Sequence, residues 1–272
     1  MPLFDLFLLA IVQGLTEFLP VSSSGHLVVT NALLEAWGRP PIENPLAVSI
    51  VLHLGTLLAV VVFYWRELLR LLTEDRRVIP LLLVGTIPAA VIGIPLKRNC
   101  EELLNNPLLA GMMFPLTALI LIWGSRSRQD SGGAEYQSLS YRAVLGIGAM
   151  QALALLPGIS RSGSTIASGL AVGLNRNAAG AFAFLLAVPA IGGAGLLEVL
   201  DLVKEAGATG ASRVPVADLA IGAAASFAVG WLALWQLMRF VRQGKLAVFV
   251  WYLVPLGAAV VAWQLWLKAA GA

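Results

Sequence analysis

The chain alternates between long apolar runs and short polar interruptions. An apolar run opens at Leu3, is broken by Gln13, Glu17 and Pro20, and gives way to hydroxyls at Ser22 to Ser24 before a second run continues to Leu34. A single straight membrane-crossing helix needs about 20 apolar residues and would end near Pro20. Two shorter helices meeting at Pro20 to Ser22 account better for the breaks. Pro20 disfavours helix at the residue before it, and Ser22 or Ser23 can cap a new one. A loop from Trp37 to Asn44 closes the segment. Full spans then read at Pro45–Tyr64, Val78–Leu96 and Pro107–Trp123, separated by a charged segment, Trp65 to Arg77, and a short polar loop, Lys97 to Asn106. The longest polar stretch, Gly124 to Arg142, reads as a linker. Beyond it, Ala143–Leu156 is apolar and is broken by Pro157 to Thr165, a small-residue run follows from Ile166 to Leu174, and further spans read at Ala178–Leu200, Val216–Met238 and Leu246–Leu267.

The pattern repeats. A shift of 138 positions lays Gln13 on Gln151, Leu15 on Leu153, Ser22 on Ser160, Ser24 on Ser162 and Gly25 on Gly163, and a shift of 137 lays Gly85 and Gly93 on Gly222 and Gly230. The matches fall on the two polar interruptions. If each broken segment enters and leaves on its own side, three full spans separate the two, and an odd number inserts the repeats with opposite orientation. The expected fold is an all-α polytopic membrane protein with six transmembrane helices plus two re-entrant helix pairs in an inverted-topology repeat. It forms a single membrane domain, 1–272, with repeat 1 at 1–124, a linker at 125–142 and repeat 2 at 143–272.

Composition supports this class. The chain is 58% hydrophobic and 12% charged, against roughly 25% charged in a soluble domain, and its mean hydropathy is +0.84. The apolar runs are continuous, whereas barrel strands alternate over about ten residues. The lone Cys100 forms no internal disulfide. Met1-Pro2 has neither a basic leader nor a small-residue cleavage site, which predicts no removed signal peptide. The cations serve as a topology signal, and no nucleic-acid partner is expected. Eleven of the 18 Lys and Arg fall on one side: Arg66, Arg70, Arg76, Arg77, Arg126, Arg128, Arg142, Arg176, Arg239, Arg242 and Lys245. Six fall on the other: Arg39, Lys97, Arg98, Lys204, Arg213 and Lys268. The positive-inside rule makes the richer side cytoplasmic and puts both termini outside. A first segment that spans instead of re-entering would undo this count.

Polarity at membrane depth is expensive unless it is paired or lines a wet cavity, so the interruptions carry the candidate chemistry. Gln13 and Glu17 are four apart and share a helix face. Ser22-Ser-Ser-Gly25 at a helix start offers hydroxyls and free N–H groups, as an anion site or as plain capping. His26 can pack in the core, activate a hydroxyl or protonate a leaving group. Arg161, among Ser160, Ser162, Gly163, Ser164 and Thr165, suits a phosphate or pairs with Glu17, and a pair that opens for substrate would do both. His53 reads as a packed or helix-facing histidine. Trp231, Trp235, Trp251, Trp263 and Trp266 suit interfacial anchoring.

The run Gln13-Gly-Leu-Thr-Glu17-Phe-Leu-Pro-Val-Ser-Ser-Ser-Gly-His26 and the run Pro157-Gly-Ile-Ser-Arg161-Ser-Gly-Ser-Thr165 resemble the two signature motifs of bacterial undecaprenyl-pyrophosphate phosphatases of the bacitracin-resistance type. The resemblance covers nearly the whole chain, including Leu54 to Ala59 and Phe184 to Pro189. It implies an enzyme of the bacterial inner membrane that removes the terminal phosphate from undecaprenyl pyrophosphate and recycles the carrier for peptidoglycan synthesis. Carried over by position, it puts the paired acidic or amide residues at Gln13 and Glu17, the candidate nucleophile at Ser23, the histidine at His26 and the essential arginine at Arg161. Gln13 stands where the family often has Glu, which weakens any scheme needing two carboxylates on one metal. The segment from Asn177 to Phe184 also departs from the family pattern, which often has a polar residue and a serine there.

The expected catalytic set is therefore Glu17, Ser23, His26 and Arg161. Pyrophosphate contacts are expected from Gln13, Ser22, Ser24, Gly25, Ser160, Ser162, Gly163 and Thr165. A divalent cation, Mg2+ or Ca2+, is expected at Gln13 and Glu17. Attack on phosphorus falls to Ser23 or to a water activated by Glu17 or His26. The expected partners are a polyprenyl pyrophosphate, membrane lipid and, as one assembly, a homodimer. The competing class is a flippase or secondary transporter, which shares the inverted-repeat plan.

Overall fold

A computed structural model describes residues 3–40, 44–127, 132–209 and 215–270. Within the linker, positions 128–131 lie outside the described residues, as does Arg213, so the cations Arg128 and Arg213 are not located. Apart from one isolated bridge between Ala134 and Leu174, the described chain is helical and has no strand. The helices are α1 (Leu3–Phe18), α2 (Ser23–Ala36), α3 (Pro45–Phe63), α4 (Trp65–Leu72), α5 (Val78–Asn99), α6 (Glu101–Leu104), α7 (Pro107–Ser125), α8 (Tyr141–Leu153), α9 (Arg161–Ala171), α10 (Arg176–Thr209), α11 (Val216–Arg242) and α12 (Val250–Ala270). Six helical stretches among the described residues are long and apolar enough to cross a membrane: α3, α5, α7, α10, α11, and α12 with the 3₁₀ turn before it. These coincide with the six spans expected from the sequence, and the protein is a multi-pass membrane protein.

The boundaries follow local chemistry. Pro45 and Pro107 sit in the first turns of α3 and α7, after Asn44 and Asn106, whose side chains accept backbone N–H groups as caps. α5 runs past Leu96 to Asn99, taking Lys97 and Arg98 into its last turn, where cations favour the helix carbonyl end. The expected polar loop after it contains the short α6. α10 likewise continues beyond Leu200, through a polar segment.

Besides α4 and α6, four helices fall short of a full span: α1, α2, α8 and α9. α1 has 16 residues and α9 has 11, about 24 and 16 Å at about 1.5 Å per residue, against a hydrocarbon core of about 30 Å. The start of α1 and the end of α2 are tied together, because Arg39 Nη2 lies 2.7 Å from Asp5 Oδ1. The chain before α8 is tied to the chain after α9 in the same manner. Ala134 N–H donates to the Gly173 carbonyl at 2.9 Å, and Asn175 N–H donates to the Ala134 carbonyl at 3.0 Å.

Each short first helix has a long partner: α1 packs along α11, and α8 along α5. Small residues let the backbones approach, as is usual between helices in lipid. Gly14 lies against Ser226 and Gly230, and Gly148 against the Gly85 carbonyl. Phe18, Phe182 and Phe184 fill the centre of the bundle, with the Phe18 and Phe184 rings edge-on at 5.7 Å. The breaks between α1 and α2 and between α8 and α9 meet beside this core.

Candidate active site

The site is built from the two breaks. On the last turns of α1, Gln13 and Glu17 share a face as expected, and Gln13 Nε2 donates to Glu17 Oε2 at 3.0 Å. The Ser23 hydroxyl, at the start of α2, donates to the same oxygen at 2.6 Å. Arg161, the first residue of α9, donates from Nη2 to Glu17 Oε1 at 3.0 Å. Both carboxylate oxygens are engaged. The ion pair has little exposure, 17% for the Arg161 side chain and 5% for that of Glu17. A pair so withdrawn from water holds only while its partners remain in place, since removing either strands a charge.

A polar clasp fixes one break on the other. Ser22 Oγ accepts the N–H of Gly25, capping α2 at 3.3 Å, and also the N–H of Gly158 at 3.0 Å. Thr117 of α7 donates to the Gly158 carbonyl at 2.7 Å and accepts the Ser160 N–H at 3.0 Å. Ser162 donates to the Leu19 carbonyl at 3.3 Å. The approach requires glycine on both sides. A Cβ on Gly25 would stand 2.6 Å from the Gly158 nitrogen. Gly158 itself has φ +94° and faces the Ala110 carbonyl. Ser22 holds a positive φ of 73° without being glycine, so the break stores backbone strain.

A cavity of about 440 Å³ opens beside the ion pair and is lined by Glu17, Ser22, Ser23, Ser24, Ser160 and Arg161. Its walls also include Thr16, His53, Thr86 and Gln151. Apolar lining comes from Ala90 and Ile94 of α5 and from Pro189, Gly193 and Ala194 of α10. Along α5 the lining extends from Thr86 to Lys97, and Lys97 pairs with Glu198 of α10 at 3.5 Å.

The remaining expected residues stand around the cavity without facing it. Gln13 is fully buried beside Glu17. Gly25, Ser162 and Gly163 belong to the clasp and caps, with the Gly163 N–H donating to Ser160 Oγ at 3.1 Å. The Thr165 hydroxyl donates to the Arg161 carbonyl at 2.8 Å, within its own helix. His26 is turned the other way. Its Nδ1 meets the Ser22 carbonyl at 2.7 Å, and because a carbonyl only accepts, that nitrogen carries a proton. Its Nε2 lies 2.8 Å from the Tyr252 hydroxyl, with the ring stacked on Tyr252 and edge-on to Phe114. His26 thus braces the turn that presents Ser23.

His53 makes the helix-facing bond expected of it, from Nδ1 to the Ser49 carbonyl at 2.9 Å, and also borders the cavity. Its place on the wall was not legible from an apolar span. Thr117 carried no local signal either, since it is one hydroxyl in an apolar helix. Gln151 carried one, its register with Gln13, but nothing in the sequence pointed it at the cavity.

A guanidinium and helix-start N–H groups are donors suited to an anion, and a hydroxyl hydrogen-bonded to a carboxylate is a group that chemistry can activate as a nucleophile. Donors for a hard cation are sparse but present. Among the described residues no group of three His, Cys, Asp or Glu gathers. Yet the Gln13 Oε1 is buried without a partner next to the Glu17 carboxylate. One carboxylate and one amide oxygen are the hard donors the site would offer such a cation.

The fold and site define a multi-pass membrane protein whose two helix breaks enclose a polar centre. The chain belongs to the family described as bacitracin resistance protein BacA, whose family model matches residues 6–259. Among similar proteins is an undecaprenyl-diphosphatase of Rhodopirellula baltica, 46% identical over 254 residues, covering 93% of this chain and 95% of that protein. Others are the undecaprenyl-diphosphatase of Methanosphaera stadtmanae, 37% identical with 92% and 94% covered, and that of Moorella thermoacetica, 35% identical with 98% and 100% covered.

Proposed function

We propose that this chain hydrolyses undecaprenyl pyrophosphate to undecaprenyl phosphate and inorganic phosphate in the bacterial inner membrane, returning the lipid carrier to peptidoglycan synthesis. The reading rests on one observation above the others: Ser23, Glu17 and Arg161 converge at 2.6 and 3.0 Å on the wall of a cavity with apolar sides. It agrees with the names carried by the relatives over nearly their full lengths. A flippase or transporter with the same plan calls for no hydroxyl hydrogen-bonded to a carboxylate.

In this reading the pyrophosphate draws Arg161 onto its oxygens and loosens the Glu17 pair. Ser24, Ser160 and the N–H groups at the start of α9 add donors where charge builds up, which is the main contribution a protein makes to phosphoryl transfer. Ser23 Oγ attacks the terminal phosphorus and its proton passes to Glu17. The bond from that phosphorus to the bridging oxygen breaks, and undecaprenyl phosphate leaves with the bonding pair and takes the proton from Glu17, which returns the carboxylate to its basic form. Water, deprotonated by Glu17, then attacks the phosphoseryl group, releases inorganic phosphate and restores the hydroxyl. Ser22, Gly25, Ser162, Gly163 and Thr165 hold the two turns, and His26 acts through the Ser22 carbonyl. A divalent cation held by Glu17 and Gln13 would neutralise pyrophosphate charge.

Several contacts support the finer topology. Asp5 with Arg39, and Ala134 with Gly173 and Asn175, link the outer ends of each short pair, as expected of helices that enter and leave on one face. The matched packing of α1 on α11 and α8 on α5 fits two repeats in opposite orientation. The cavity lining takes in Lys97 and Glu198, on the side with fewer cations, which under the positive-inside rule supports an outward opening and termini on the outer side. All the residues named come from one copy of the chain.

The deciding experiment is phosphate release from undecaprenyl pyrophosphate by the purified protein. Parental activity that disappears in Arg161→Ala supports the reading. No release by the parental protein, or full release by the variant, overturns it.

A further inference from the structure

Gln151 is the repeat counterpart of Gln13, yet the two amides are used differently. Gln13 spends its N–H on Glu17, one helical turn further along. The position one turn beyond Gln151, which matches Glu17 in the repeat register, is Leu155, and it has no carboxylate to offer. Gln151 is only 3% exposed, and both of its amide atoms, Nε2 and Oε1, are buried without a hydrogen-bond partner. Because both are free, the assignment of oxygen and nitrogen does not affect the argument. Gln151 and Leu155 both line the cavity that holds Glu17, Ser23 and Arg161. A buried amide with neither donor nor acceptor satisfied is costly, and it is retained where a ligand or an ordered water completes it.

We infer that Gln151 is a substrate-binding residue, whose side-chain amide donates an N–H to a non-bridging oxygen of the pyrophosphate while its carbonyl oxygen takes a hydrogen bond from a protonated phosphate oxygen or from water. The inference rests on the hydrolase reading above. It adds a neutral ligand from α8 to the guanidinium from α9. An amide suits this position because it binds a multiply charged headgroup without adding charge that would retain the product. The divergence between repeats also has a reason. Leu155 leaves the Gln151 amide free, whereas Glu17 holds the Gln13 amide in place.

The test uses the full-length protein in detergent, with polyprenyl pyrophosphate as substrate and inorganic phosphate as competing ligand. Gln151→Met keeps side-chain length and removes both hydrogen-bonding groups. It is expected to raise KM and weaken inhibition by phosphate about ten- to a hundredfold, the range for a hydrogen bond to a charged group, with little change in kcat. Gln151→Glu keeps the shape and adds charge. Its KM penalty is expected to be larger at alkaline than at acidic pH, and if the Met variant does not fold, this profile decides. Parental KM and phosphate inhibition in the folded variants overturn the inference, which is then left with a water-filled role for Gln151. A parental protein that releases no phosphate overturns the hydrolase reading as well, so the two failures are distinguishable.

Discussion

Ser22 Oγ accepts the backbone N–H of Gly158 at 3.0 Å, across 136 positions of sequence. The same oxygen caps α2 through Gly25. One hydroxyl therefore ends the first helix break and fastens it to the second, which sets how far Arg161 stands from Glu17.

This clasp has no room for a side chain at Gly25. Gly25→Ala would drive a Cβ to 2.6 Å from the Gly158 nitrogen and 2.9 Å from Phe114. Overpacking of this kind costs about 1–3 kcal/mol. The variant is expected to insert into membranes normally, melt at lower temperature and lose most phosphate release, which thermal unfolding in detergent and a phosphate assay would report together.

The Glu17–Arg161 pair makes separate predictions for stability and activity. Arg161→Met leaves the Glu17 carboxylate buried and should destabilise by about 3–5 kcal/mol, whereas adding Glu17→Gln removes the stranded charge and should recover much of that loss. Phosphate release should stay at least about a hundredfold down in both proteins, since the donor to the developing charge is gone. Recovery of activity in the double variant would sink the assignment.

Ser23 and water are told apart by what accumulates. If the Ser23 hydroxyl attacks, rapid acid quenching should trap phosphoserine at Ser23, and Ser23→Ala should abolish it along with nearly all turnover. A Ser23→Ala protein within about a hundredfold of the parental rate, the low end of a general-acid–base contribution, would point to water as the nucleophile.

The apolar side of the cavity should discriminate by chain length. Gly193 lines it, and a Cβ there would meet nothing within 4 Å. Gly193→Leu fills space that the reading gives to the isoprenoid. KM is expected to rise more for the long undecaprenyl substrate than for a short farnesyl one, in parallel assays of both.

The cation is testable through Gln13, whose Oε1 is buried and unpartnered beside Glu17. Chelation should lower the parental rate. Gln13→Glu adds a second carboxylate and is expected to lower the Mg2+ concentration needed for half-maximal activity, while Gln13→Leu should raise it. Identical cation titrations for all three proteins would remove Gln13 from the metal site.

The membrane spans were legible because partition into lipid depends on local composition, and a helix satisfies its own backbone wherever it lies. Pro45, Pro107, Asn44 and Asn106 mark their helix starts within a few residues. The breaks were legible for the same reason, as polar groups in apolar surroundings. The repeat register linked Gln13 with Gln151, and charge complementarity linked Glu17 with Arg161. The difference between the two histidines was not legible. His26 lies in the motif but turns to Tyr252, whereas His53, on an apolar span, borders the cavity.

The membrane class, the helix breaks and the polar residues that interrupt the apolar runs can be read from the sequence alone, because each is decided within one or two helical turns. Which of those residues reach the cavity depends on how the helices pack. Thr117, Gln151 and His53 take their places through contacts between helices far apart in the chain, and the clasp of Ser22 on Gly158 depends on an approach that no local pattern encodes. Side-chain direction is set by packing across helix faces, and packing is a property of the whole bundle.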